Sequence, residues 1–249
     1  MLHQLFVSLI ILILIAAFFR TPFAKGMVGE AMVNGLSFLF LDRRKYRLLR
    51  NVTLPLKDGG TTQIDHIIVS PYGIFVVETK NLKGWIFGDP KQKAWTLLLF
   101  KTKTKFQNPL HQNYKHIKAL VSLLNLPEDH FYSLIVFMGE CTFKTPMPEN
   151  VVYPVGYIRY IKAKTDHRLS PDQVAAAVAA IKQARLAPTL TTHREHVRHV
   201  RRIVTERSQR CPRCGNALVE RISKTGPSPG ARFLGCAGYP GCRYTCEIG

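Results

Sequence analysis

The run from Gln63 to Lys80, Q-I-D-H-I-I-V-S-P-Y-G-I-F-V-V-E-T-K, holds side chains whose types and spacing could do chemistry. Two β-branched and aromatic segments, 64–69 and 74–79, flank Ser70-Pro71-Tyr72-Gly73, which has the Pro and Gly placement of a tight turn. The stretch reads as a β-hairpin in which Val69 faces Ile74, and stepping outward sets Asp65 opposite Glu78 on one face. Alternation adds Lys80 to that face, above a floor of Ile67, Val69, Ile74 and Val76, and gives the other face Ile64, His66, Ile68, Phe75 and Val77. Both faces are largely apolar, so the hairpin belongs in the middle of a sheet covered on both sides.

Two carboxylates opposed at roughly 5 Å repel, and a sheet built only for stability avoids the pairing. A divalent cation removes the conflict. Mg²⁺ or Mn²⁺ suits a site with a couple of carboxylates, water and a phosphate oxygen. Lys80 beside it could orient or deprotonate an attacking water and stabilise charge at phosphorus, which is metal-assisted phosphodiester hydrolysis. A Glu-x-Lys triplet alone is a weak signal, since edge strands often end in charges. The chemistry rests on register: a slip of one residue sends Asp65 to the opposite face.

A second constellation lies near the C-terminus. Cys211-Pro-Arg-Cys214-Gly is a zinc knuckle, and Cys236 and Cys242 supply two further thiolates after a spacer that fits a zinc ribbon. Four thiolates close a tetrahedral Zn²⁺ site that holds a fold and does no chemistry, and so short a module could hardly fold without it. Cys246 is a spare able to replace Cys242, and Cys141 reads as an ordinary buried thiol.

The elements that must position these groups follow in order. Leu5 to Phe19 is an apolar run that, extended to residues 1–20, is long enough to be a transmembrane anchor. The basic residues Arg20, Lys25, Arg43, Arg44 and Lys45 all follow it, which places the body in the cytoplasm of a single-pass protein of the bacterial inner membrane. A formal net charge of +19, from 35 basic and 16 acidic residues, attracts polyanions, either nucleic acid or an anionic membrane surface. Lys25 to Leu41 has helical spacing and carries Glu30 near its start, where an acid could equally pair with the helix dipole. Tyr46 to Leu56 is a strand leading into the hairpin, and Trp85 to Phe87 and Trp95 to Phe100 are two more. Lys91, Lys93, Lys101, Lys103 and Lys105 either track a phosphate backbone or protect a solvated edge. Asn108-Pro109 opens a helix that runs to about Asn125, with Gln112 and His116 one turn apart. Ser133 to Met138 is a buried strand, Tyr157 to Lys162 reads as another, and Pro171 to Leu186 is a helix capped by Ser170. Thr189 to Arg210 is a basic linker. The domains expected are an anchor at 1–20, a catalytic domain at 25–165, a helix and linker at 166–210 and a zinc ribbon at 211–249.

Asp65, then Glu78-x-Lys80 after a glycine turn, resembles the core of the PD-(D/E)xK nuclease superfamily. With Gly29-Glu30, Thr61 to His66, Gly84 to Gly88 and Asn108-Pro-Leu-His-Gln112, it resembles the superfamily's nuclease-related domain family over roughly 26–124. Ile64 stands where the superfamily's name has proline. The resemblance implies a restriction-endonuclease-like α/β fold, a mixed sheet flanked by helices. It also implies that Glu30 is an additional acid from the first helix, Asp65 and Glu78 are metal ligands, Lys80 is the catalytic lysine and Gln112 reaches the site from the following helix. The tail, C-P-R-C-G-N-A-L-V-E-R through F-L-G-C-A-G-Y-P-G-C-R-Y-T, resembles the C-terminal zinc ribbons of bacterial type IA topoisomerases. That implies binding of single-stranded DNA, with Phe233, Tyr239 and Tyr244 stacking on bases and Arg232 and Arg243 holding phosphates. The expectation is a membrane-anchored nuclease acting on DNA. A non-catalytic DNA-binding tether is the alternative, and in a third reading the basic surface serves chiefly to bind membrane.

Overall fold

The computed structural model describes residues 21–56, 59–187, 189, 197–198, 210–223, 230 and 232–247. The expected anchor at 1–20 and most of the basic linker lie outside these. Among the described residues no helix is long and apolar enough to cross a membrane. The chain divides into two units, Met1–Pro188 and Thr189–Gly249.

In chain order the first unit runs α1 (Pro22–Phe40), β1 (Arg47–Pro55), β2 (Thr61–Ser70), β3 (Gly73–Asn81), β4 (Gly84–Phe87), β5 (Ala94–Leu99), β6 (Thr102–Gln107), α2 (Pro109–Leu124), a short 3₁₀ turn, β7 (Phe131–Met138), β8 (Cys141–Phe143), β9 (Val151–Val152), α3 (Pro154–Lys162) and α4 (Pro171–Ala184). The main sheet has the order β1-β2-β3-β7-β9. β1, β2 and β3 are antiparallel neighbours, and β7 joins β3 in parallel after a crossover through α2. The hairpin is central, as its two apolar faces require. Its register pairs Val69 with Ile74 and Ser70 with Gly73.

One face of the sheet packs Ile68, Phe75 and Val77 against Val33 of α1 and Tyr157 and Ile161 of α3. The other packs Ile67, Val69, Ile74 and Val76 against Ile117 and Leu120 of α2 and Val174, Ala177 and Ile181 of α4. Helix α4, set with the linker on sequence grounds, therefore lines the core. It opens with a capping box in which Ser170 and Gln173 satisfy each other's backbone amides. A second sheet, β6-β5-β4-β8, is joined to β7 by Ile86 and Trp95 packing on Ile135 and Phe137. Lys103 and Lys105 stand exposed on its edge strand β6.

Three local expectations are corrected. Ile64 does not face away from Ile67 but shares its core, because the pairing of β1 with β2 skips Asn51, opposite Asp65, where φ is +48° and strict alternation breaks. Tyr157 to Lys162 is helix rather than strand. Pro154 supplies a preset first turn, and Tyr157 and Ile161, four apart, are both fully buried while Arg159 between them is exposed. Glu30 does not sit at the start of its helix: α1 begins at Pro22, two turns earlier, beyond the reach of the N-terminal dipole.

Gly73 closes the hairpin with φ +128°, and a Cβ there would lie 2.8 Å from the Tyr132 ring and 2.9 Å from the His130 carbonyl. Gly73→Ala should destabilise the first unit by about 1–3 kcal/mol. Both tryptophans, Trp85 and Trp95, belong to this unit, so urea unfolding followed by tryptophan fluorescence measures the loss directly.

Candidate active site and metal centre

The hairpin parts where its acids stand. The β2–β3 ladder ends at His66 and Val77; beyond it β2 stays with β1 as far as Thr61, and β3 stays with β7 as far as Asn81. Asp65 and Glu78 are the next residues along, at the mouth of the opening. Asp65 Oδ2 accepts hydrogen bonds from the Thr79 amide at 2.8 Å and the Thr79 hydroxyl at 2.7 Å. A carboxylate thus takes the place of a strand partner for a β3 amide.

Glu78 is 2% exposed. Its Oε1 accepts from Lys80 Nζ at 2.6 Å, and the same ammonium donates to Gln112 Oε1 at 3.0 Å. Its Oε2 lies 3.4 Å from His116 Nε2 and is buried without a hydrogen bond. His116 Nδ1 is 2.7 Å from the Thr62 hydroxyl, on the half of β2 that has left β3, so α2 ties the two diverging strands together.

Asn108 sets α2 in place. Its side chain accepts from the Leu110 amide as the helix cap and donates to the carbonyls of Asp89, Pro90 and Gln92, fixing the helix start to the β4–β5 turn. Asn113 adds bonds to the Val76 carbonyl at 2.8 Å and the Ser133 hydroxyl at 2.9 Å. Gln112 and His116 are thereby presented to β3 from successive turns.

Glu30 approaches from α1 on the opposite face. Burial raises its pKa, against a hydrogen bond from Asn51 that lowers it, and the charge of Glu78 raises it further. Asp65 is pushed up to about 7 by burial and then by Glu78. Glu78 itself stays below the usual carboxylate range: burial works against its charge, but Lys80 and His116 outweigh burial. The site thus holds one fixed anion beside an acid that titrates near neutrality.

All five residues expected at this site belong to the cluster. Sequence reasoning missed four more. Thr79 aims Asp65, His116 backs Glu78, Thr62 holds His116, and Asn51 holds Glu30. The signals were present: His116 follows Gln112 at helical spacing, and Asn51 interrupts an extended run with the residue type that best tolerates positive φ.

The second unit contains β10 (Leu218–Ile222), β11 (Arg232–Cys236) and β12 (Thr245–Glu247) in one antiparallel sheet. The Sγ atoms of Cys211, Cys214, Cys236 and Cys242 lie within 4.8 Å of one another, with 3.7 Å from Cys211 to Cys242 and 3.3 Å from Cys214 to Cys236. Thiolates in tetrahedral Zn²⁺ coordination stand about 3.7 Å apart, so the four fit the ion. Cys246 pairs across the sheet with Leu234 and is outside the cluster; Cys141 is buried in the first unit. Arg232, Phe233, Tyr239, Arg243 and Tyr244 all line one groove of about 850 Å³, joined by Arg221, whose guanidinium lies 5.6 Å from the Tyr239 ring centre. Arg232 is paired with Glu220, so part of its charge is already answered.

Residues 25–138 match the nuclease-related domain family, NERD. The chain belongs to that family. The NERD match takes in Glu30, Asp65, Glu78, Lys80 and Gln112. Residues 208–249 match the topoisomerase DNA-binding C4 zinc finger, which takes in all four clustered cysteines. An uncharacterised protein of Bacillus anthracis is 39% identical over 173 residues, covering 67% of this chain and 80% of its own length. No solved structure matches. The NERD domain points to a nuclease-related function and the ribbon to DNA binding.

Two tests follow. A carboxyl whose pKa is raised in the fold keeps its proton where the unfolded chain has lost it, so Asp65 weakens the fold as pH rises from about 4 to about 7. In metal-free buffer Asp65→Asn should melt about 5 °C above the native chain at pH 8, with the gap closing below pH ~4, by tryptophan fluorescence. Cys214→Ser should unfold the ribbon and cut single-stranded DNA binding by about tenfold or more in fluorescence anisotropy, leaving the melt of the first unit unchanged.

Proposed function

We propose that this NERD protein is a membrane-anchored, metal-dependent nuclease that hydrolyses phosphodiester bonds in DNA on a restriction-endonuclease-like core. The observation that carries this reading is the convergence, at the mouth of the parted strands, of the hydrogen-bonded Glu78, Lys80 and Gln112 with Asp65, which Thr79 holds beside them. The residues fit a divalent cation: a buried Glu78 Oε2 that accepts no hydrogen bond, with only His116 Nε2 beside it at 3.4 Å, and a neighbouring carboxylate with a raised pKa form an anionic conflict that a hard cation relieves. Asp65 and Glu78 would hold Mg²⁺ or Mn²⁺, which supplies the positive charge that acidifies water and offsets charge at phosphorus.

The chain's own groups do the rest. Thr79 aims the Asp65 carboxylate, and His116, held by Thr62, backs Glu78. Lys80, steadied by Gln112, orients the attacking water and donates to phosphoryl oxygens. Glu30, held by Asn51, adds a further acid. Asp65 must lose its proton to act as a ligand, so cation loading weakens below about pH 7. In the ribbon, Phe233, Tyr239 and Tyr244 stack on bases of single-stranded DNA while Arg232 and Arg243 hold phosphates. Residues 1–20 anchor the protein in the bacterial inner membrane, with its body in the cytoplasm.

One observation favours a second reading. Lys80 already answers the Glu78 charge without a metal, as a DNA-binding tether that does not turn over would need. The two are separated by incubating the full chain in detergent with labelled single- and double-stranded DNA in Mg²⁺, Mn²⁺ or EDTA. The nuclease reading expects cleavage that EDTA abolishes and Lys80→Ala lowers about a hundredfold or more, with DNA binding kept. Salt-sensitive binding with no cleavage in any metal would establish the tether instead.

A further inference from the structure

We infer that the solvent face of α1, together with the basic groove at its C-terminal end, lies against an anionic membrane surface and fixes the direction in which the NERD site opens. This rests on the reading of residues 1–20 as a membrane anchor.

Helix α1 is apolar nearly all round. At roughly 100° per residue, Gly29, Val33 and Ser37 fall on the buried arc, and Glu30 and Asn34 on the next arc, toward the site. The remaining arc, roughly 140° wide, carries Met27, Val28, Ala31, Met32, Phe38 and Leu39, all exposed, with Phe38 at 62% and Leu39 at 71%. A helix facing only water and the core puts its polar residues on that arc.

Past the C-terminal end of α1, the chain enters a groove of about 1020 Å³ to which Arg43, Arg44, Lys45, Arg47 and Lys182 contribute, and no acidic side chain lines it among the described residues. The Arg43 guanidinium stacks on the Phe38 ring at 3.6 Å, so apolar stripe and cationic groove form one continuous surface. An apolar stripe edged with arginine and lysine is the composition of a helix lying in a membrane interface.

Chain length favours a membrane over nucleic acid as the occupant. The apolar run ends at Phe19 and α1 begins at Pro22. Three residue steps span at most about 10 Å, a little more than the depth of one headgroup layer. With the run in the bilayer, α1 starts among the headgroups or at their outer edge. Nucleic acid would answer the groove but leave the apolar stripe in water. Glu30 lies one arc round the same helix, so contact along the stripe sets the attitude of the catalytic mouth to the membrane.

The test uses the full chain in nanodiscs of phosphatidylcholine, with or without phosphatidylglycerol, carrying benzoyl-phenylalanine at Met32, Leu39 or, as a control, Lys101. Lipid adducts are expected from Met32 and Leu39 but not from Lys101. Their yield should rise with phosphatidylglycerol, and Arg44→Glu with Arg47→Glu should lower that rise several-fold. Adducts to residues 5–19 or to a second copy, without lipid, overturn the inference while leaving the anchor intact. A chain that stays out of the nanodiscs altogether disproves the anchor, and with it this surface.

Discussion

The parting of β2 from β3 beyond His66 and Val77 is the constraint on which the first unit depends. A sheet that opens leaves backbone amides that would have bonded across the gap, and in a buried setting each must find another partner. Asp65 supplies that partner for Thr79, so one carboxylate both closes the sheet and stands at the site. Asn51, at positive φ opposite Asp65, absorbs the change in direction of β1 and uses its side chain to hold Glu30. Bending the strands and assembling the acids are a single structural event.

The electrostatics of the opening make sense for chemistry and poor sense for stability alone. Glu78 is kept anionic in a nearly dry position by Lys80 and His116, and its charge helps to hold Asp65 near neutrality. Like charges placed together by the fold are a load that the surrounding core must offset. The offset is visible in the fully buried apolar faces above and below the hairpin and in the anchoring of α2 through Asn108 and Asn113. A rigid frame holds a strained centre.

The second unit solves a different problem. Its strands are short and its side chains mostly exposed, so apolar burial cannot define it, and four thiolates converging on one point do so instead. That frees its surface for aromatic and basic groups, gathered in one groove. The same economy appears on α1, where one helix supplies a core face, a site face and an exposed apolar face.

Much of this was legible in the sequence because it depends on short-range regularities. Strand alternation and a four-residue turn determine the hairpin register from Ser70 and Gly73 as far as His66 and Val77, which brings Asp65 and Glu78 to the point where the strands part instead of pairing them; helical spacing presents Gln112 and His116 together; the spacing of Cys211, Cys214, Cys236 and Cys242 announces the ribbon. What alternation could not foresee was its own failure at Asn51, which moved Ile64 to the other core, because a positive φ answers to strands several residues away. Tyr157 to Lys162 became helix for a related reason: so short a run carries both periods weakly, and Pro154 together with packing against β7 decides between them. The roles of Thr62 and His116 were decided only in three dimensions, since their contact joins β2 to α2 across 54 residues of chain. Local pattern determined which residues could act. Only the fold, by opening one pair of strands and laying a helix across the gap, decided which of them meet.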